Sequence, residues 1–229
     1  MRLGSLTRME LPRWTLGRMQ NPVRGFLHGG AAVAALIATV FLGWVAPNWG
    51  IRIGSIVFGL AMVALYTTSS LYHAIPWRDV WKKRMQRLDH SMILVLIAGT
   101  YTPVAIATLD GWLQWLVLAI AWGLVALGAL QHTLFPQERQ TFSMILAISM
   151  GWLGAAIAWK FVQELGWAGS GLAVAGGIVY SIGLLLLIAN RPRLWPRVFS
   201  YHEVFHIMVV TASVIHFVMI WRYVLPQGV

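Results

Sequence analysis

Seven long apolar runs divide the chain, and short polar or basic segments separate them. The runs cover residues of about 26–46, 51–75, 89–109, 112–132, 141–163, 168–190 and 201–223. Each run is continuous rather than alternating, and each can cross about 30 Å of hydrocarbon as a helix of about 20 residues. Small residues recur within the runs, as close packing of membrane helices requires. The pattern predicts an all-α polytopic membrane protein with a bundle of seven transmembrane helices.

The segments outside these runs are short. Residues 1–25 carry several arginines and two prolines, a composition too irregular for a span, and we expect a basic cytoplasmic tail there. Residues 26–223 then form one membrane domain, and residues 224–229 form a short second tail. Asp110 and Gly111 leave so little chain between the third and fourth runs that these two must form a tight helical hairpin.

The basic residues predict how the spans are oriented. All but three of the 17 Lys and Arg residues fall on one side of a seven-span topology, in the N-terminal tail and in segments 76–88, 133–140 and 191–200. The exceptions are Arg52, Lys160 and Arg222. Because cytoplasmic loops carry the excess of Lys and Arg, we expect the N-terminus in the cytoplasm and the C-terminus outside.

The composition agrees with a membrane protein and limits its chemistry. Hydrophobic residues make up 59% of the chain and charged residues 10%, with a mean hydropathy of +0.70, whereas a soluble domain has about 25% charged residues. The net charge of +10 is spread over connecting segments, which argues against nucleic-acid binding. Cysteine is absent, so a metal site would have to use histidine, carboxylate or water.

The last apolar run contains three histidines. On a helix, His202 and His206 lie one turn apart on the same face. His216 returns to within about 40° of His202, roughly 20 Å further along the axis. Lipid hydrocarbon does not accommodate such a face cheaply, so we expect the face to point into protein or into a wet cavity.

Four polar residues from three spans fall at the same predicted depth. In the expected orientation, the second run ends at the cytoplasmic side with His73, the third begins there with Asp89, and the seventh begins there with His202 and His206. Three neutral imidazoles and an open position form the catalytic type of zinc site, and a nearby carboxylate can hold a water molecule or accept its proton. The pattern predicts a metal centre in the inner leaflet, with Asp89 as the base.

Each of these residues has a simpler interpretation when it is taken alone. A histidine at the end of a span, such as His73, commonly forms interfacial hydrogen bonds, and a histidine pair one turn apart occurs without a metal. Asp89 at the start of a helix is also explained as a cap favoured by the helix dipole. The occurrence of all four residues at one depth favours the metal site.

Several motifs resemble those of a known family. They are SSLYHAIP at 69–76, LDH at 88–90, LIAGTYTP at 96–103, HEVFH at 202–206 and a distal HF at 216–217. In order and in placement on the spans, they resemble the hemolysin III proteins of bacteria. These proteins belong to the progestin and adipoQ receptor family, together with the adiponectin receptors, and are related to alkaline ceramidases. The resemblance covers about residues 24–222.

The resemblance implies a seven-helix bundle with a cytoplasmic N-terminus and a zinc ion held by three histidines in the inner leaflet. Carried over by position, the ligands are His73, His202 and His206. Asp89 and Ser69 would act on the bound water. The resemblance also implies a bacterial inner-membrane location and membrane lipids as partners.

The chain departs from the family pattern near the first span. Family members usually carry an asparagine four residues before the histidine of that span, with a glutamate nearby. Here His28 is present, but Arg24 occupies the asparagine position and no glutamate precedes it nearby. Glu203 is a candidate replacement for the missing acidic residue.

Two classes of function fit these residues. The first is a zinc-dependent hydrolase or amidase acting on a lipid, with Asp89 as base, which fits a role of bacterial relatives in membrane lipid homeostasis. The second is a non-enzymatic sensor of the membrane state, or a cytolysin-like protein, in which a structural zinc ties the second and seventh spans together. The Asp89 carboxylate beside three histidines favours the hydrolase, because a structural site tends to fill its fourth position with a protein ligand.

A transporter is a third alternative, because His216 lies deeper along the face that carries His202 and could line an ion path. A retinal protein is disfavoured, because the seventh run has no lysine that could form a Schiff base.

Overall fold

A computed structural model of the protein describes residues 19–134, 140–195 and 198–228, and α-helices account for most of them. The helices are α1 (Pro22–Val45), α2 (Trp49–Ala74), α3 (Asp79–Thr108), α4 (Gly111–Leu134), α5 (Gln140–Trp152), α6 (Ala158–Ala189) and α7 (Tyr201–Met219). A 3-10 turn at Leu153–Ile157 joins α5 to α6, and a π-helical turn at Ile220–Val224 continues α7. These three ranges contain no β-strand, so the prediction of an all-α fold is confirmed.

Six helical segments of the described chain are long and apolar enough to cross a membrane. They are Pro22–Val45, Trp49–Ala74, Asp79–Thr108, Gly111–Gln131, Ser143–Ala189 and Tyr201–Gln227. The chain is therefore a multi-pass membrane protein. The count of seven spans and the orientation of the termini remain predictions, because Ser143–Ala189 is one candidate segment of 47 residues and not two.

Two helices begin earlier than hydropathy predicts. Residues 1–18 of the predicted tail lie outside the described residues, but α1 already begins at Pro22, where a proline in the first turn costs no hydrogen bond. The α3 helix begins at Asp79, well before the predicted start at residue 89. Its first turns are rich in Lys, Arg, Met and Gln, which favour a helix without being apolar. Hydropathy locates only the part of α3 that suits hydrocarbon.

Small residues let the helices approach closely, as the sequence predicts. The principal packed pairs are α1 with α2, α2 with α3, α3 with α4, and α6 with α7. A Cβ atom added to Gly25 would lie 2.9 Å from the Cβ of Ala74, and one added to Gly99 would lie 2.6 Å from the Cβ of Ala61. Since lipid tails are as apolar as the side chains, this close contact is what holds membrane helices together.

The main core lies between α1, α2, α3 and α7, and it turns the histidine face of α7 inward. Leu42, Phe58 and Met219 are among its most buried side chains. Tyr66 of α2 donates a hydrogen bond of 2.7 Å to Ser213 Oγ of α7. The hydroxyl of Tyr180, on α6, lies 2.7 Å from the same oxygen. Polar contacts therefore join three helices on the inward face of α7.

Candidate metal centre

The start of α7 places two histidines on one helical face. The backbone N–H of Ser200, which precedes the helix, donates a 2.8 Å hydrogen bond to Oε2 of Glu203. A glutamate in this position is half of a capping box, and its negative charge suits the positive end of the helix dipole. The cap begins the helix at Tyr201. His202 and His206 consequently occupy its first two turns, with their rings stacked 5.0 Å apart.

A third histidine from α2 completes a compact cluster. His73 lies near the end of α2, and its ring centroid is 5.2 Å from that of His202 and 4.9 Å from that of His206. One ring nitrogen from each of the three residues lies within 4.8 Å of the other two. His73 and His206 are buried, and His202 is partly exposed. The structure thus brings together the three histidines that the sequence predicts as ligands, and they could hold a metal ion.

The chemistry of the cluster fits a metal cation. The Nε2 atom of His73 is buried and has no hydrogen-bond partner in the described part of the chain. A buried polar atom without a partner is costly, and such atoms commonly mark the place of an ion or a water molecule. Imidazole nitrogens suit zinc, copper, iron and nickel. A cation at the centre of the three rings would give the Nε2 atom of His73 the partner that it lacks.

Asp89 and Ser69 lie next to each other in the same region. Ser69 is one turn before His73 on α2 and is buried, and its side chain is hydrogen-bonded to that of Asp89 on α3. Both side chains line the cavity that His202 and His206 also line. A carboxylate in this place is suited to accept a proton from a water molecule near the three histidines.

A fourth histidine, to which the sequence assigns no role, touches the cluster. His28, on α1, is buried, and its ring centroid is 4.0 Å from that of His206. Nδ1 of His206 lies 3.1 Å from Nδ1 and 2.9 Å from Nε2 of His28. Because His28 occupies the Nδ1 side of His206, the Nε2 side is the one left for a metal. The position of His28 in the family motif was the only sequence signal for it.

Arg24 and Glu203, the two residues at the departure from the family pattern, form an ion pair. Nε of Arg24 donates a 2.6 Å hydrogen bond to Oε1 of Glu203. Glu203 is only 5% exposed. The pair therefore joins the start of α1 to the start of α7, one residue away from His202.

A long cavity of about 640 Å³ extends from the histidines into the bundle. Polar side chains at the histidine end give way to an apolar lining that includes Leu96, Ile97 and Val209. The lining continues as far as Met219, on the last turn of α7. At 1.5 Å per residue, the lined part of α7 is roughly 25 Å long.

His216 lines the same cavity but does not join the cluster. It lies ten residues beyond His206 in α7, which places it about 15 Å further along the helix axis. Its Nε2 atom is 3.2 Å from the carbonyl oxygen of Ala173 on α6. The prediction that all three histidines of α7 face protein or a cavity agrees with the structure, but only two of them approach His73.

Comparison with known proteins finds one family over most of the chain. The family described as "Haemolysin-III related" matches residues 17–217. Hemolysin-3 of Bacillus cereus is 35% identical over 222 residues, which cover 96% of this chain and 98% of that protein. The Hemolysin-3 homolog of Bacillus subtilis (strain 168) is 32% identical over 199 residues, covering 86% and 90%. Monocyte to macrophage differentiation factor of Homo sapiens is 20% identical over 211 residues, covering 86% and 82%.

Proposed function

The chain belongs to the haemolysin-III-related family, as its motifs predict, and from this premise we propose that it is a zinc-dependent hydrolase acting on acyl amides or esters of membrane lipids. The observation that carries the proposal is the cluster of His73, His202 and His206 at a cavity that Asp89 also lines. Three histidine ligands leave the fourth position of a tetrahedral site open, and hydrolytic zinc sites have that arrangement.

The three histidines would hold the zinc ion. Zinc bound there would polarise the carbonyl group of a lipid and make water acidic enough to react at neutral pH. Neutral imidazole is a preferred zinc ligand, and the chain offers no cysteine that would favour a softer metal. Burial of His73 and His206 keeps bulk water away from the site, which strengthens the electrostatic interactions within it.

Asp89 is the proposed base, and Ser69 is the residue that orients it. The hydrogen bond between the two side chains joins α2 to α3 and restricts the rotation of the carboxylate. Asp89 would accept a proton from the attacking water and then pass it to the leaving amine or alcohol. Ser69 lies one turn from His73 on α2, so the base and one metal ligand share a rigid support.

The cavity supports a lipid as substrate. Its lining beyond the histidines is largely apolar, and its length along α7 suits an acyl chain. A lipid whose acyl chain lies along α7 would present its amide or ester carbonyl at the histidine end. Membrane lipids that enter from the inner leaflet are the proposed partners, and maintenance of membrane lipid composition is the proposed role.

We place seven spans in the membrane by dividing Ser143–Ala189 at Gly166. As one helix, its 47 residues would extend about 70 Å, more than twice the hydrocarbon thickness. Gly166 has φ 68° and ψ 177°, so the helical path breaks there, and Lys160 and Glu164 lie beside the break. With the basic segments inside, the N-terminus is cytoplasmic and the metal centre lies in the inner leaflet of the bacterial inner membrane.

Metal analysis and a lipid hydrolysis assay together test the proposal. Purified protein should contain about one zinc per chain, and His206→Ala should lose it. The zinc-loaded protein is then incubated with long-chain N-acyl amides and with acyl esters in mixed micelles, and the released fatty acid is measured by mass spectrometry. Asp89→Asn should bind zinc normally but release fatty acid about 10²- to 10⁴-fold more slowly.

The matched control is Asp110→Asn, which removes an exposed carboxylate that follows the far end of α3. It should leave both zinc content and hydrolysis unchanged. Full hydrolytic turnover in Asp89→Asn with zinc still bound would contradict the proposed mechanism. Absence of zinc from wild type purified without chelators would contradict the metal centre itself.

The contact between His28 and His206 favours a second candidate function. If His28 supplied a fourth nitrogen, the site would be closed, as structural zinc sites are, and the protein would be a sensor of the membrane state. X-ray absorption spectroscopy of the zinc protein separates the two functions. Three histidines and one oxygen ligand support the hydrolase, whereas four histidines support the structural site.

A further inference from the structure

The first turn of α1 and the two residues that precede it contact both of the segments that carry the clustered histidines. The N–H of Gln20 donates to the carbonyl oxygen of Ala74 at 3.1 Å, and the N–H of Asn21 donates to that of His73 at 2.9 Å. Arg24 then pairs with Glu203 of α7. We call these contacts, made by Gln20, Asn21 and Arg24, the α1 brace. They join the end of α2 to the start of α7 through α1.

Both oxygens of the buried Glu203 carboxylate accept hydrogen bonds, and one of them comes from Arg24. Oε1 of Glu203 accepts the 2.6 Å hydrogen bond from Arg24, while Oε2 accepts the 2.8 Å hydrogen bond from the N–H of Ser200. The side chain of Glu203 is 7% exposed and that of Arg24 is 21% exposed. A charge-assisted hydrogen bond with little access to water is strong and directional. Glu203 therefore caps α7 and, through the same carboxylate, binds Arg24 of α1.

The packing of the helices shows why the contact of Arg24 with Glu203 affects the histidine cluster. The principal partner of α2 is α1, together with α3, whereas α7 packs against α6 and α1. The hydrogen bond of Tyr66 with Ser213 also links α2 to α7, but it lies about two turns deeper than His73 and His206. At the level of the histidines, α1 contacts both α2 and α7, in addition to the direct ring contacts of His73 with His202 and His206.

We propose that Arg24 and Glu203 are positioning residues of the metal site, and that their ion pair sets the separation of His73 from His202 and His206. The inference rests on the metal centre proposed above. Arg24 stands at the position where the family pattern has asparagine, and there it pairs with Glu203 of α7. A metal ion needs its ligands at nearly constant distances, and loss of an outer contact that orients them lowers affinity.

Zinc affinity measured by competition with a chelating dye in detergent tests the proposal. Arg24→Ala and Glu203→Gln should each weaken zinc binding by about 10- to 100-fold. Glutamine is accepted in a capping box, so Glu203→Gln keeps the cap of α7 and removes only the charge. The zinc affinity of the double variant should be no lower than that of the more impaired single variant, because both substitutions remove the same interaction.

A conservative variant and a spectrum distinguish an effect on the positions of the histidine ligands from a general loss of folded structure. Arg24→Lys keeps the charge and should recover most of the zinc affinity that Arg24→Ala loses. The visible spectrum of the cobalt-substituted protein should change in Arg24→Ala, because it reports ligand geometry. Arg222→Ala is the matched control, since Arg222 lies over the ring of Trp221 beyond the far end of α7 and should leave affinity and spectrum unchanged. Wild-type affinity and spectrum in Arg24→Ala would overturn the proposal.

A distance measurement makes the brace testable apart from zinc and from hydrolysis. The chain has no cysteine, so Leu71→Cys on α2 and Ile207→Cys on α7, both exposed, accept spin labels at only those places. The distance distribution should be narrow in the otherwise wild-type protein and broader with Arg24→Ala, with or without metal. Equal widths would overturn the brace. A zinc-binding protein that hydrolyses no lipid would overturn the proposed function and leave the brace intact.

Discussion

The imidazoles of His28 and His206 are in direct contact, with ring centroids 4.0 Å apart, although 178 residues separate them in the chain. The contact brings α1 into a cluster that is otherwise formed by α2 and α7. A metal-binding histidine usually has its second ring nitrogen held by another group, which sets the tautomer and the orientation of the ring. His28 is in the right place to do this for His206.

Replacing His28 should therefore weaken the metal site without removing a ligand. We expect His28→Phe, which keeps an aromatic ring of similar size, to lower zinc affinity by about 10- to 100-fold, as measured by dye competition. His216→Phe is the control, because His216 lies about 15 Å from the cluster along α7 and should not change affinity. Equal affinities in His28→Phe and wild type would show that His28 does not orient His206.

Removal of metal should destabilise the folded protein. A metal that binds only the folded state stabilises it by about 2.7 kcal/mol when its free concentration is 100 times the dissociation constant. We expect a chelator to lower the thermal midpoint in detergent and zinc to restore it. His206→Ala should have a low midpoint that neither reagent changes. A chelator effect as large in His206→Ala as in wild type would contradict the site.

Two neighbouring glycines should respond differently to the same substitution. A Cβ atom at Gly176 would overlap the ring of His216, whereas one at Gly177 would meet no atom within 4 Å. Gly176→Ala should therefore destabilise the α6–α7 pair by about 1–3 kcal/mol. Gly177→Ala should be neutral or slightly stabilising, because alanine favours the helix. Unfolding in mixed detergent micelles measures both, and equal stabilities would refute the close α6–α7 packing at His216.

Ser213 joins three helices, so its replacement should lower the free energy of unfolding more than replacement of Thr211 on the same helix. Ser213→Ala removes the partner of Tyr66 and Tyr180, and we expect a loss of about 1–3 kcal/mol in unfolding free energy. Thr211→Ala is the control, because Thr211 is exposed and its hydroxyl bonds only to its own helix. Similar stability in both variants would show that the interhelical hydrogen bonds contribute little.

Much of the helical layout could be predicted from hydropathy alone. A chain in hydrocarbon must satisfy its backbone hydrogen bonds internally, so a long apolar run has little alternative to a helix. The starts of α1 and α3 were less predictable. Residues 79–88 are polar yet helical, because helix propensity continues beyond the apolar stretch that the pattern detects. Hydropathy therefore determines where the membrane span begins, whereas helix propensity determines where the helix begins.

The candidate site was predictable where its residues share a helical face or fall at one depth in the span topology, and not where it depends on how α1 packs against α7. The spacing of His202 and His206 determines that they share a face of α7, because the period of the helix is the same in any fold. The contact of His28 with His206 and the pairing of Arg24 with Glu203 have no local signal. Each depends on where α1 packs against α7.

The all-α membrane fold, the approximate helices and the histidine pair of α7 follow from the order of the residues alone, since backbone hydrogen bonding and helical periodicity act over short stretches of chain. The span topology and the family motifs also predicted that His73 joins that pair. The folded structure was needed to show that His216 does not join the cluster and that α1 supplies His28 and Arg24. These relationships follow from interhelical packing. Close fits such as Gly25 against Ala74 bring together residues that the order of the chain leaves far apart.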